Sequence, residues 1–119
     1  MDVEKLKVWQ HSMDLAAKVY EITDKFPKHK MYSLADQMRR AAVSIPSNIA
    51  EGKGRRTTKD FIHFLYVARG SLNELSTQIK LAKRIGYLTP EDYTDLISKT
   101  EIVRQKLGGF LNYLRNKRT

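Results

Sequence analysis

The sequence predicts an all-α protein, an antiparallel up-down-up-down four-helix bundle whose second helix is kinked at Pro46. Apolar residues recur at three- and four-residue steps through four long segments, as on one face of a helix. Short stretches with proline, glycine or threonine separate these segments, and short connections favour antiparallel neighbours. The 119 residues fit a single domain, 1–119, that can bury a core without a disulfide or metal.

The first two helices are divided by proline. The first carries the apolar stripe Val8, Leu15, Val19, Ile22 and Phe26. Pro27 should end it, because proline disfavours the helical state of the preceding residue. The second carries Leu34, Met38, Ala41, Ala42, Ile45 and Ile49. Pro46 removes one of its backbone hydrogen bonds, which predicts the kink, and Gly52-Lys53-Gly54 suits a C-cap and turn.

The third helix has the most regular stripe, and the fourth begins with a clear start signal. Thr57 or Thr58 can cap the third helix, and Gly86 should close it. Its stripe is Phe61, Phe64, Leu65, Ala68, Leu72, Leu75, Ile79 and Ala82. Thr89-Pro90-Glu91-Asp92 predicts an N-cap, a first-position proline and acids in the first turn. The fourth stripe is Tyr93, Leu96, Ile97, Val103, Leu107, Phe110, Leu111 and Leu114. Gly108-Gly109 should weaken this helix, and the basic tail from Arg115 onward should fray.

The charge balance indicates an anionic partner. Lys and Arg number 22 against 13 Asp and Glu, for a formal net charge of +9. This favours nucleic acid ahead of a membrane surface. The alternative is a soluble protein that is basic without an anionic ligand.

Several classes of protein are disfavoured by what the sequence lacks. It contains no cysteine, which removes disulfides and thiolate chemistry and agrees with a reducing cytoplasm. The first twenty residues are amphipathic and interrupted by charge, unlike a signal peptide, and no apolar run approaches membrane-spanning length. We therefore expect a soluble, cytoplasmic protein with no membrane partner.

The polar residues do not form a catalytic or metal-binding pattern. His11, His29 and His63 have no second histidine at helical spacing, and Asp60 with His63 only faintly resembles half of a di-iron motif. Glu51 and Glu74 are expected to pair with Arg40 or Arg69 rather than to act as an acid and a base.

The remaining nucleophile and phosphate-loop candidates are equally weak. Ser44, Ser47 and Ser71 have no histidine that can be placed beside them. Gly52 and Gly54 follow a helix rather than the strand that a phosphate loop requires. The sequence therefore predicts a binding protein rather than an enzyme, with no catalytic residue, metal or cofactor.

The densest basic region surrounds the second helix and the turn that follows it. Its candidate nucleic-acid-binding residues are Arg39, Arg40, Lys53, Arg55, Arg56 and Lys59. Guanidinium groups pair well with phosphate oxygens, and the start of the third helix adds a positive dipole end. Aromatic platforms of the kind found in single-strand binders are not evident, because most aromatic residues fall on core stripes. Binding should therefore depend on salt and read few bases.

A second apolar surface suggests self-association. On a helical wheel Val67, Gly70, Leu81 and Ile85 fall opposite the main stripe of the third helix, and Trp9 widens the apolar arc of the first. These five residues are the predicted oligomer interface. The alternative is that scattered exposed apolar residues are ordinary on a monomer.

Three strings of the sequence resemble a known family. They are Leu6-Lys7-Val8-Trp9-Gln10, FPKHKMYSLADQMRRAAVSIPSNIAEGKGR from Phe26 to Arg55, and FLYVARGSLNEL from Phe64 to Leu75. With them the chain resembles the four-helix-bundle family of 23S rRNA-intervening-sequence proteins, over nearly its whole length.

The resemblance implies a bacterial homo-oligomer with RNA as the leading ligand. Family members are encoded within insertions in large-subunit rRNA genes or stand alone. The related accessory protein of diversity-generating retroelements resembles a basic pentameric barrel that binds nucleic acid and a reverse transcriptase. A homopentamer is therefore expected, and a scaffold that docks a partner such as a reverse transcriptase is the alternative function. No catalytic residue carries over from the family.

Overall fold

Four α-helices follow a short 3₁₀ helix in the computed structural model, which describes residues 2–28 and 32–117. The 3₁₀ helix is Val3–Lys5, and the α-helices are α1 Lys7–Thr23, α2 Tyr32–Lys53, α3 Thr58–Arg84 and α4 Pro90–Lys117. Each α-helix packs against two others, in the cyclic order α1, α2, α3, α4, so α1 and α3 lie diagonally opposite. The predicted four-helix bundle is confirmed.

The helices share one core made of the predicted stripes. Every stripe residue of the first two helices is buried, and Leu65, Leu72, Leu75, Leu96 and Leu107 are fully enclosed. Phe61 and Phe64 on α3, and Phe110 on α4, are only half-buried. Tyr93 and Ile97 at the start of α4 are half-buried too, so the stripes are least buried near both ends of the bundle.

The end of α1 differs from the prediction. The helix ends at Thr23, ahead of Pro27, and the chain continues through two tight turns in which Lys25 and Phe26 donate to the carbonyls of Ile22 and Thr23. These turns place Phe26 in the core, where its ring lies 5.2 Å from that of Tyr87. Packing of Phe26 therefore ends the helix before proline can. His29 lies outside the described residues.

The predicted start and end of α3 and the predicted start of α4 are confirmed. Thr57 Oγ1 accepts a hydrogen bond from the Asp60 amide at the start of α3, and Thr89 Oγ1 accepts one from the Asp92 amide at the start of α4. After α3, Gly86 adopts φ +82°, the left-handed region that favours glycine. The amides of Gly86 and Tyr87 donate to Lys83 and Ala82, which satisfies carbonyls at the helix end.

Gly52 lies within α2, and the close approach of α3 requires it. A Cβ atom built on Gly52 would lie 2.8 Å from Phe61 Cδ1 and 2.8 Å from Phe64 Cβ. The predicted C-cap role is wrong for this residue, because α2 continues to Lys53 and the turn begins at Gly54. α2 also runs through the buried Pro46, and the kink there stays a prediction.

An ionic network joins α1 to α4. Asp95 accepts from Lys99 at 2.7 Å and lies 3.3 Å from Lys18, which also pairs with Glu21. The hydrogen bond from Lys99 lowers the pKa of Asp95 below its ordinary value, with a further contribution from Lys18. A lowered carboxyl pKa means that the contribution to stability is present above the unfolded-state value and is lost as the pH falls through the folded-state value. Acid should therefore loosen the contact between α1 and α4.

None of the helices in the described part of the chain combines the length and the apolar character needed to span a bilayer.

Candidate nucleic-acid interface

The structure divides the six predicted phosphate-binding residues into two groups. Arg39 and Arg40 lie near the middle of α2, whereas Lys53 ends that helix. At 1.5 Å of rise per residue, the thirteen steps from Arg40 to Lys53 correspond to about 20 Å along the helix axis. The six residues therefore do not form one compact cluster, because closeness in the sequence becomes distance along a helix, and their part in binding stays a prediction.

Arg39 is occupied inside the protein. Its Nε donates to Thr23 Oγ1 at 2.8 Å, and its Nη2 donates to Asp24 at 2.9 Å. The guanidinium also lies over the Tyr20 ring, 5.2 Å from its centre. The side chain is only 19% exposed. These contacts join α2 to the end of α1, so Arg39 has a structural role, and its ligand-binding role stays a prediction.

Arg40 faces solvent beside a shallow groove between α2 and α3. Glu74 lies on the other side of this groove, but the two do not approach to ion-pair distance. Glu51 pairs instead with Arg55, at 2.9 Å. The expected pairing of Glu51 with Arg40 or Arg69 is therefore wrong, since Glu51 pairs with Arg55, four residues later in the turn after α2.

The turn between α2 and α3 contains four basic residues and no acidic one over residues 53–59. Arg55 is held by Glu51 and by the Phe64 ring, which its guanidinium approaches to 4.8 Å. Arg56 and Lys59 are exposed. The Thr57 cap and Asp60 already occupy the first turn of α3, and α2 ends beside it. The charge at this turn therefore comes from side chains more than from a helix dipole.

The end of α4 joins the same end of the bundle. Arg115 donates to the Tyr66 hydroxyl of α3, and the rings of Phe110 and Phe61 meet edge to face at 5.4 Å. Residues 104–117 contain four basic residues and no acidic one. α4 remains helical to Lys117, and Arg118 and Thr119 lie outside the described residues, so the fraying of the tail stays a prediction.

We name this surface the basic end. It consists of Lys53, Arg55, Arg56, Lys59, Arg115 and Lys117. Within residues 2–28 and 32–117, Arg55 is the one member of the six at ion-pair distance from a carboxylate. Sequence reasoning missed Arg115 and Lys117 as site residues, because they are far from the turn along the chain. The absence of acidic residues from 104–117 was the available signal.

Aromatic rings accompany these cations. Tyr66 lies beside two guanidinium groups, those of Arg69 at 4.7 Å and Arg115 at 5.9 Å from its ring centre. Tyr113 is 57% exposed, and Lys117 Nζ lies 5.7 Å from its ring centre. Tyr113, whose position falls just outside the α4 core stripe, is therefore an exposed ring beside a cation, and the expectation of no aromatic platform stays a prediction.

The polar residues considered for catalysis have structural partners or lie apart. Ser44 and Ser71 share a hydrogen bond of 2.8 Å across α2 and α3, and Asn48 Nδ2 donates to Ser44. Across the described ranges, no three His, Asp or Glu side chains come together as a metal site would require.

The predicted oligomer residues lie on two different faces. Val67, Leu81 and Ile85 are 40–48% exposed on the outer side of α3, and Gly70 has open space around its Cα. Trp9 is half-buried on the diagonally opposite α1, beside an apolar groove between α1 and α2. Trp9 therefore does not share a surface with the other four, because the outward-facing side chains of diagonally opposite helices lie on opposite sides of the bundle.

Residues 4–109 match the family model described as 23S rRNA-intervening sequence protein. The chain belongs to this family. The match ends before Arg115, so it covers the α2–α3 turn and leaves out the α4 half of the basic end. The family resemblance noted in the sequence is thereby confirmed, and the link to the retroelement accessory protein stays a prediction.

A solved structure supports the fold of this family member. The chain is similar to a protein of unknown function from the S23 ribosomal protein family of Bacteroides thetaiotaomicron, with a TM-score of 0.83 and 24% sequence identity. The similarity covers 88% of this chain and 95% of the other. None of the curated proteins matches the chain.

Proposed function

We propose that this chain is a non-enzymatic, homo-oligomeric nucleic-acid-binding protein that holds RNA phosphates at the basic end. The observation that carries the proposal is the meeting of two basic groups at one end of the bundle: the acid-free segment 53–59, and Arg115 and Lys117 at the end of α4. Neither group alone would make a surface, and the contact of α3 with α4 joins them.

The charge of the basic end is available to a ligand. Arg56, Lys59 and Lys117 are exposed, and no carboxylate of the described residues lies at ion-pair distance from them. Cations of this kind release counterions from a nucleic-acid backbone when they bind phosphates, which gives affinity without base recognition. The family description, 23S rRNA-intervening sequence protein, supports RNA as the nucleic acid.

Removing charge from the basic end should weaken RNA binding. The double variant Arg56→Ala/Lys59→Ala should raise the Kd roughly tenfold at about 100 mM salt and to a similar extent for unrelated sequences, because it loses two phosphate contacts. Fluorescence anisotropy with labelled RNA measures this change.

The matched control removes the same charge from the opposite end of α3. Lys80→Ala/Arg84→Ala lowers the net charge equally, at exposed positions about 32 and 38 Å along the helix from Lys59. It should change the Kd less than threefold. Equal weakening by both double variants would contradict a localised site and indicate attraction by net charge alone.

Self-association is the second part of the proposal, with a pentamer as the expected assembly. It is supported by the exposed apolar side chains on the outer face of α3. Contact with a second copy would remove this apolar surface from water. Leu81→Glu or Ile85→Glu should therefore lower the mass measured by light scattering while helicity by circular dichroism is unchanged. Ser98→Glu on the exposed side of α4 is the control. An unchanged mass in both α3 variants would place the interface elsewhere.

A scaffold that docks a protein such as a reverse transcriptase is the second candidate function. It is supported by the apolar groove between α1 and α2, where Met13, Tyr20 and Val43 are each more than two-fifths exposed. Recovery of a specific protein partner after nuclease treatment, together with no RNA binding by the purified protein, would favour the scaffold over the RNA-binding function.

A further inference from the structure

Tyr113 is the most exposed large apolar side chain in the described part of the protein, at 57%. It lies on α4, two residues before Arg115 and one helical turn before Lys117. A lone exposed tyrosine is ordinary on a protein surface. Tyr113 differs from such a residue because Phe110 stacks beside its ring and because Arg115 and Lys117 follow it on α4.

The ring of Tyr113 rests on an aromatic row that is anchored in the bundle. Phe110 stacks beside it with ring centres 6.4 Å apart and planes inclined by 18°. Phe110 is held in turn by the edge-to-face contact with Phe61 at 5.4 Å, and Phe61 packs against Gly52 of α2. The row therefore joins three helices and supports the exposed Tyr113 ring from the side of the bundle.

Tyr20 is the instructive comparison, because it is also exposed, at 46%. The Arg39 guanidinium covers its ring at 5.2 Å, and Arg39 is in turn bound to Asp24. A cation also lies over the Tyr113 ring, Lys117 Nζ at 5.7 Å from the ring centre, but no carboxylate of the described residues is at ion-pair distance from Lys117. The surroundings of Tyr113 suit a ligand that is aromatic and anionic together.

We infer that Tyr113 stacks against an unpaired base of a single-stranded nucleic acid, while Arg115 and Lys117 contact the adjacent phosphates. This inference rests on the proposed function and specifies its ligand. An unpaired base offers its flat face to an aromatic side chain, whereas the bases of a duplex are already stacked on one another. The basic end then binds any nucleic-acid backbone, and Tyr113 adds a preference for single strands.

The test compares single-stranded and duplex probes of the same length. The proteins are the wild type, Tyr113→Ala and Tyr113→Phe, and the probes are a single-stranded RNA, the same sequence as single-stranded DNA, and an RNA duplex. Tyr113→Ala should weaken binding to both single strands about tenfold, as expected for one lost base stack. Duplex binding should change less than twofold, and Tyr113→Phe should retain wild-type affinity because it keeps the ring. A 2-aminopurine base in the single strand should be quenched by the wild type and Tyr113→Phe but not by Tyr113→Ala.

Each result separates this inference from the proposed function. If Tyr113→Ala binds all probes like the wild type, or weakens single strands and duplex equally, the inference is wrong. If Arg56→Ala/Lys59→Ala still weakens binding in those cases, the proposed function stands without it. If the wild type binds no probe, both fail. If Tyr113→Ala loses affinity for the single-stranded RNA but not for the single-stranded DNA, the ligand is restricted to RNA. If it loses affinity for both of these probes, Tyr113 stacks on bases of either nucleic acid. Light scattering of Tyr113→Ala should give the wild-type mass, and a lower mass would overturn the inference in favour of a contact between copies.

Discussion

Gly52→Ala should destabilise the protein by about 2 kcal/mol, equivalent to a fall in Tm of roughly 8 °C for a domain of this size. The added methyl would lie 2.8 Å from Phe61 Cδ1 and from Phe64 Cβ, so α3 must move away from α2. Phe64 Cβ is next to the backbone and cannot yield by a rotamer change. The cost of this overpacking exceeds the gain of roughly 1 kcal/mol that alanine normally brings to a helix. Thermal unfolding followed by circular dichroism measures the difference.

Gly108→Ala and Gly109→Ala are the matched controls for this prediction. Both glycines lie inside α4, and a Cβ built on either would meet nothing within 4 Å. Each replacement should therefore raise stability by about 1 kcal/mol, which is the ordinary difference in helix propensity. A Gly52→Ala variant with a higher Tm than the wild type would show that the contact between α2 and α3 is looser than the structure indicates.

Arg39→Ala should destabilise the protein by about 2 kcal/mol and leave RNA affinity nearly unchanged. The variant loses the hydrogen bonds from Arg39 to Thr23 and Asp24, and with them the link between α2 and the end of α1. Thr23 keeps its own bond to the Val19 carbonyl, and the exposed Asp24 is resolvated, which limits the loss. Chemical denaturation measures the free energy of unfolding, and anisotropy measures the RNA affinity.

Arg40→Ala is the control, because it removes the same charge from the adjacent, exposed position. It should change the free energy of unfolding by less than about 0.5 kcal/mol. If Arg39→Ala is as stable as Arg40→Ala but binds RNA much more weakly, Arg39 is a ligand-binding residue after all and its structural assignment is wrong.

The fold was predictable because the buried positions of a helix in a bundle recur every three or four residues, and apolar residues occupy them. Leu65, Leu72, Leu75 and Ile79 fall on one face whatever their partners are, and each is fully buried. The caps at Thr57 and Thr89 were predictable for a similar reason, since they depend on residues within one turn. The early end of α1 was not, because it depends on the contact of Phe26 with Tyr87, which is distant in the sequence.

The candidate site was predictable only in its local half. The run from Lys53 to Lys59 is visible in the sequence, but the contribution of Arg115 depends on how α4 packs against α3. The crowding of Gly52 was not predictable either. α3 crowds Gly52 whereas Gly108 faces open space, and the sequence does not indicate this difference. Periodicity indicates which face of a helix is buried, and the spacing between two helices appears only in the structure.

The most direct test of the central claim is the salt dependence of RNA binding. We expect the wild type to bind single-stranded RNA at about 50 mM salt, and log Kd to rise linearly with log salt concentration. The slope should be smaller by about 1.4 in Arg56→Ala/Lys59→Ala, because single strands contribute about 0.7 per phosphate contact. No RNA binding at about 50 mM salt, or an identical slope in the variant, would contradict the proposal that the basic end holds the phosphates.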